Sequence, residues 1–105
     1  MILSTTNEIA GRPVTETLGL VQGNAVRARH IGRDITAALK NIVGGEVPEY
    51  ASLQAESREQ ATQRMVERAE SLGADAVIGV RYATSMIASG MSEMLAFGTA
   101  VKLGS

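Results

Sequence analysis

The chain has no cysteine and no tryptophan. Without a thiol it can form no disulfide, no thiolate metal site and no thiol nucleophile. It has one histidine, His30, which can anchor a metal only with carboxylates or with its own symmetry copies. Aromatic residues are nearly missing, being Tyr50, Tyr82 and Phe97 alone. No single charge dominates, since 10 Lys and Arg stand against 11 Asp and Glu. That balance gives no broad electrostatic footprint for nucleic acid or an anionic membrane. No apolar run approaches the ~20 residues of a membrane span. The opening Met1-Ile2-Leu3-Ser4-Thr5-Thr6 lacks the basic region and long apolar core of a signal peptide. A cytoplasmic location is therefore expected, with neither a membrane nor a nucleic acid as partner.

What is present is Ala, Val, Ile, Leu and Met, a composition suited to helices packed closely on a sheet. A length of 105 residues fits a single domain, 1–105, with a small core. Residues 2–6 read as a short strand entering a turn at 7–13. Residues 14–29 read as a longer strand. Gly23-Asn24 interrupts it as a bulge or tight turn, with a hairpin there as the competing reading. Ile31, Ile35, Ala38, Leu39 and Ile42 fall at helical spacing, so a helix is expected over 31–43, stopped by Gly44-Gly45.

Pro48 suits the first turn of a second helix, over 49–72. Its inner stripe reads Tyr50, Leu53, Ser57, Ala61, Met65, Ala69 and Leu72. Its outer face carries Glu56, Arg58, Glu59, Gln63, Glu67 and Glu70. Gly73 ends it. Residues 76–86 and 94–103 then form an antiparallel hairpin about a turn near 88–93. Ile78, Val80, Tyr82 and Met86 share one face of the first strand. Leu95, Phe97, Val101 and Leu103 share one face of the second, with Ala96, Gly98 and Ala100 on the other. The second helix spans ~36 Å and matches the hairpin in length, so it is expected to lie along it. Both faces of the hairpin are apolar or small. The face away from that helix needs a cover, either a second subunit or helix 31–43.

Ile42-Val43-Gly44-Gly45, the long helix, Leu72-Gly73-Ala74-Asp75-Ala76-Val77-Ile78-Gly79-Val80 and Gly98-Thr99-Ala100-Val101-Lys102 together resemble the YbjQ-like family, as does the opening Ser4-Thr5-Thr6. The resemblance covers essentially the whole chain. It implies an α+β fold, a small antiparallel β-sheet covered by two helices, of the dodecin-like kind. It implies assembly into a homo-oligomeric ring, typically a pentamer. The family's description names heavy-metal binding, and its molecular function is unassigned. One departure is Glu46, where relatives often carry an Arg after the Gly-Gly.

Arg27, Arg29, His30, Arg33 and Asp34 form the densest charged cluster and bracket an expected helix N-terminus. Arg29, His30, Arg33 and Asp34 are the candidate ligand-binding residues, for a phosphate or carboxylate. The competing reading pairs Asp34 with an Arg and leaves the rest solvated. Met86, Met91 and Met94 gather near the hairpin turn, where thioethers could meet Cu(I). Core filling is the stronger reading for them. Gly44-Gly45 follows a helix and lacks a Gly-Lys-Ser/Thr ending, so it is no phosphate loop. Glu46 and Glu49 are close carboxylates with no accompanying acid, base or nucleophile, and Ser4-Thr5-Thr6 offers hydroxyls without a base. The expectation is a non-catalytic oligomer that binds a small ligand or metal ion. The alternatives are a heavy-metal site formed between subunits and an enzyme with an inter-subunit site. No cofactor is indicated.

Overall fold

The computed structural model describes residues 1–28 and 48–105. The expected helix over 31–43 lies outside them. Among the described residues four strands form one sheet, β1 (Ile2–Leu3), β2 (Val14–Ala28), β3 (Ala76–Ala88) and β4 (Met91–Leu103), and one helix, α1 (Pro48–Ser71), packs on it. The sheet order is β1-β3-β4-β2. β4 runs antiparallel to both of its neighbours, whereas β1 runs parallel to β3. The sheet is thus mixed where a wholly antiparallel one was expected. The cause lies at the N-terminus. Ser4 N–H donates to the Val77 carbonyl (3.0 Å), Val80 N–H to that of Ser4 (2.9 Å) and Gly79 N–H to that of Thr6 (2.8 Å). The first six residues are therefore stitched along the outer edge of β3.

α1 ends as its sequence demands. Gly73 takes φ +78°, a conformation that costs a side chain but not glycine. Ala74 N–H then reaches the Ala69 carbonyl (3.1 Å) and Gly73 N–H that of Glu70 (2.9 Å), a Schellman closure. Asp75 follows at once. Its N–H donates to the Val101 carbonyl (2.9 Å) and its carboxylate accepts Leu103 N–H (2.8 Å). Two residues thus convert a helix end into a strand fixed to β4.

The inner stripe of α1 is Ser57, Ala61, Met65 and Ala69, all buried, and its predicted outer residues are exposed. Leu72, expected on that stripe, is half exposed because the chain is already turning away there. The side chains of Tyr50 and Leu53 lie outside the described residues. The helix rests on β2 and β4 and barely touches β3, a correction to the expected hairpin alignment. Beneath it lie Val21 and Ala25 of β2, Val77 and Val80 of β3, and Met94, Ala96 and Ala100 of β4.

Small residues bring the two layers together. Gly23 is the closest point, because a Cβ there would overlap the backbone of Ala61 and Met65. Gly23 is therefore neither turn nor bulge. β2 passes straight through it, with Gly23 opposite Ala96 and Asn24 opposite Leu95. The irregularities of β2 fall earlier, between Val14 and Glu16 and between Thr17 and Gly19.

A second register break, between Ile78 and Arg81, divides a face predicted to be continuous. Val80 joins the core under α1, while Ile78 packs on the opposite side with Ala76, Val101, Leu103 and Ile9. The hairpin turn is tighter than expected. Ala88 pairs with Met91, leaving only Ser89 and Gly90 between the strands. The described chain is elongated, with extents of 53 × 24 × 16 Å and a radius of gyration of 17.2 Å. A compact chain of this length would have ~13 Å.

Candidate functional site

Arg29, His30, Arg33 and Asp34 lie outside the described residues, as does Glu46. Arg27, the fifth member of their cluster, sits near the end of β2 opposite Ser92, on the side of the sheet that carries α1. Its Nε is buried with no hydrogen-bond partner among the described residues, and so is the hydroxyl of Ser57. These two atoms mark the same end of the helix–sheet interface. Gly23 faces Ala61, Ser57 is one turn earlier on α1, and Arg27 is two same-face positions further along β2.

The methionines do not make a thioether site. Met65 and Met94 are buried in the core under α1, while Met86 is 74% exposed on the outer part of β3. Core filling explains the first two, as Met adapts to irregular gaps. Among the described residues no three His, Asp or Glu side chains gather where they could hold a metal ion. A soft metal also favours thiolates, which this sequence lacks. The donors of the described residues therefore do not fit a heavy-metal centre within one chain.

The hydroxyls of the N-terminal turn serve structure. Ser4 Oγ bonds Thr6 Oγ1, and Thr6 Oγ1 donates to the Glu8 carbonyl (2.6 Å). On α1, Thr62 Oγ1 donates to the Arg58 carbonyl (2.7 Å) and accepts the Tyr82 hydroxyl (2.8 Å). No hydroxyl among the described residues is hydrogen-bonded to a carboxylate or imidazole that could act as its base. The ingredients of nucleophilic catalysis are not assembled there.

Among the described residues, two features bear most on what the chain could receive. The first is a cavity of about 700 Å³ between the Asn7–Pro13 segment and the sheet, with Val14, Thr17 and Ile78 on the sheet side. Sequence reading passed over it as a simple turn. Its only signal was the pair of charges, Glu8 and Arg12, bracketing Ile9 and Gly11.

The second is the sheet face away from α1. Ile9 covers its end at Ala76, Val101 and Leu103. Further along, Leu20 is 69% exposed, Val26 is half exposed, and Leu95 and Phe97 are only partly buried. Beside it β3 is exposed at every residue from Arg81 to Ala88, and β1 pairs only with its start. No helix among the described residues is long and apolar enough to cross a membrane.

Comparison with known proteins agrees with this fold. The chain is 58% identical over 103 residues to a UPF0145 protein of Halorubrum lacusprofundi, covering 98% of this chain and 99% of that one. It is 52% identical over 103 residues to a UPF0145 protein of Methanosarcina acetivorans, covering 98% and 97%. A crystal structure from Pediococcus pentosaceus, of a protein of unknown function in the DUF74 family, superposes with a TM-score of 0.72. It covers 98% of this chain and 97% of that one at 17% identity, which speaks for the fold alone. The YbjQ family, described as "putative heavy-metal-binding", matches residues 1–104, and the chain belongs to that family.

Proposed function

We propose that this chain is a non-catalytic subunit of a homo-oligomeric ring that binds a small ligand. The observation that carries the reading is the incompletely covered part of the sheet: Leu20, Val26, Leu95 and Phe97 on one face, beside the edge Arg81–Ala88, which has no outer partner strand among the described residues. Free strand edges and apolar faces of this length are aggregation hazards unless a defined partner covers them. The strand order supports a ring over a two-fold dimer. It leaves two different edges, β2 on one side and the outer part of β3 on the other. Joining unlike edges makes a head-to-tail contact, which closes into a ring where the rotation between copies divides a full turn and otherwise runs on as a filament. Five copies are the number that the family resemblance suggests.

Sedimentation equilibrium or native mass spectrometry tests this. The expected result is one species of five chain masses at micromolar concentration. A folded monomer at that concentration would refute the ring.

Metal binding is the second reading, supported by the family's description. The donor set restricts it severely. With one imidazole per chain and no thiol, a soft or borderline metal needs carboxylates beside His30 or copies of His30 from several subunits. Titration with Zn, Cu and Ni is then expected to saturate at one metal per oligomer for a site on the ring axis, or one per chain for a site at each junction, and to vanish in His30→Ala. Binding that survives that substitution would count against a site built on His30.

A further inference from the structure

The Asn7–Pro13 segment is a built loop. Arg12 N–H closes a tight turn on the Ile9 carbonyl (3.2 Å), with Gly11 at φ +81°. Its far end is tied to the C-terminus, since Gly104 N–H donates to the Pro13 carbonyl (2.8 Å) and Arg12 Nε to the Gly104 carbonyl (3.0 Å). Ile9 is the one side chain of the turn that packs into the core of that face, against Ala76, Val101 and Leu103. The rest of the loop stands off the sheet and leaves the 700 Å³ cavity, a size within the ~300–1,000 Å³ typical of ligand sites.

The lining has two kinds of surface. Ile9, Pro13, Val14 and Ile78 are apolar, while Glu8 and Arg12 bring one charge of each sign. Neither an ion pair nor a hydrogen bond joins those two side chains, although four residues separate them on one turn. The bond from Nε fixes the plane of the Arg12 guanidinium and leaves its terminal nitrogens for a carboxylate, the geometry that a guanidinium matches best.

We propose that this cavity binds a free α-amino acid with an apolar side chain. Arg12 takes the α-carboxylate, Glu8 takes the α-ammonium, and the side chain lies against Val14 and Ile78. A simple carboxylic acid would leave Glu8 as an unpaired negative charge beside the anion, and an amine would do the same to Arg12. A ligand bearing both charges satisfies both residues. The inference rests on the small-ligand reading above and names the ligand class.

The test uses the full chain, with its mass measured in the same sample. Leucine is titrated while amide resonances are followed, alongside 4-methylpentanoate, which lacks the amine, and 3-methylbutylamine, which lacks the carboxylate. Leucine is expected to give saturable shifts at Ile9, Arg12, Val14, Thr17 and Ile78, with both analogues at least ten-fold weaker. Glu8→Gln, whose side chain makes no bond within the loop, is expected to weaken leucine at least ten-fold while tightening 4-methylpentanoate, whose carboxylate then meets no like charge. Absence of saturable shifts, or 4-methylpentanoate binding as well as leucine, overturns the proposal. A ring that fails to bind leucine refutes the ligand and leaves the assembly standing. A monomer that binds it does the reverse.

Discussion

At the residue scale, the tightest constraint is Gly23. It lies where β2 passes under α1, and any Cβ there meets main chain of Ala61 and Met65, which has no rotamer to escape through. Gly23→Ala must lift the helix or bend the strand, at a cost of about 1–3 kcal/mol or more. A lower urea midpoint with an unchanged m-value is the expected outcome. Sequence reading saw this glycine and misassigned it, since a glycine beside an asparagine within a strand pattern is also how a turn looks. Only the third dimension tells a turn from a close approach. Gly73 was legible for the opposite reason, because its requirement is local. It follows the last turn of a periodic helix, and the backbone closes on Ala69 and Glu70 within the same few residues. The candidate site divides in the same way. Arg29 to Asp34 drew notice as a dense charge cluster. Glu8 and Arg12 did not, because what they share is a cavity made with Val14, Thr17 and Ile78 from distant parts of the chain.

At the scale of elements, α1 and the β3–β4 hairpin followed directly from periodicity. The buried row of the helix, Ser57, Ala61, Met65 and Ala69, advances in four-residue steps and is small at all but Met65, and β4 is small at Ala96, Gly98 and Ala100, so two flat surfaces meet. Met65 is the one large side chain that the helix is known to bury between them. Met65→Ala is expected to cost about 2–5 kcal/mol, because its surroundings are backbone-close and cannot collapse into the gap. Thermal or urea unfolding measures it. What periodicity could not show was the break between Ile78 and Arg81. A strict alternation puts Ile78 and Val80 together, yet the bulge sends them to opposite faces. Gly79, whose added Cβ would approach the Asn7 side chain, lies where the N-terminal segment crosses, so the break answers to residues some seventy positions away. The tighter hairpin turn was hidden by Met91-Ser92-Glu93, whose mixed polarity reads as a loop although all three are paired in β4.

At the scale of the whole molecule, the sequence already posed the problem of covering two apolar faces. The structure adds that Ile9, from a segment read only as a turn, covers part of the second. The uncovered remainder gives a test that separates assembly from stability. Leu20 is exposed within the chain, so in a monomer Leu20→Glu would change stability by no more than about 0.5 kcal/mol. If the face is a subunit contact, the same substitution places a charge inside an interface, and the oligomer is expected to dissociate to folded monomer. Sedimentation with circular dichroism on the same sample reads both quantities.

The strand pairings also dictate when this protein can fold. Ile2 pairs with Ala76 and Val14 with Leu103, so each flanking strand of the sheet waits for a partner synthesised almost a whole chain later. Only α1 and the β3–β4 hairpin are local in sequence. Domains dominated by such distant contacts fold slowly, because loop closure must precede any reward from pairing. Among the described residues β2, fifteen residues long, has β4 as its one partner strand, so its pairing waits until β4 has been made. Lys102 and Leu103 pair with β2 while Gly104 ties down Pro13 and Arg12, so the most distant contacts of the described sheet all depend on this one segment.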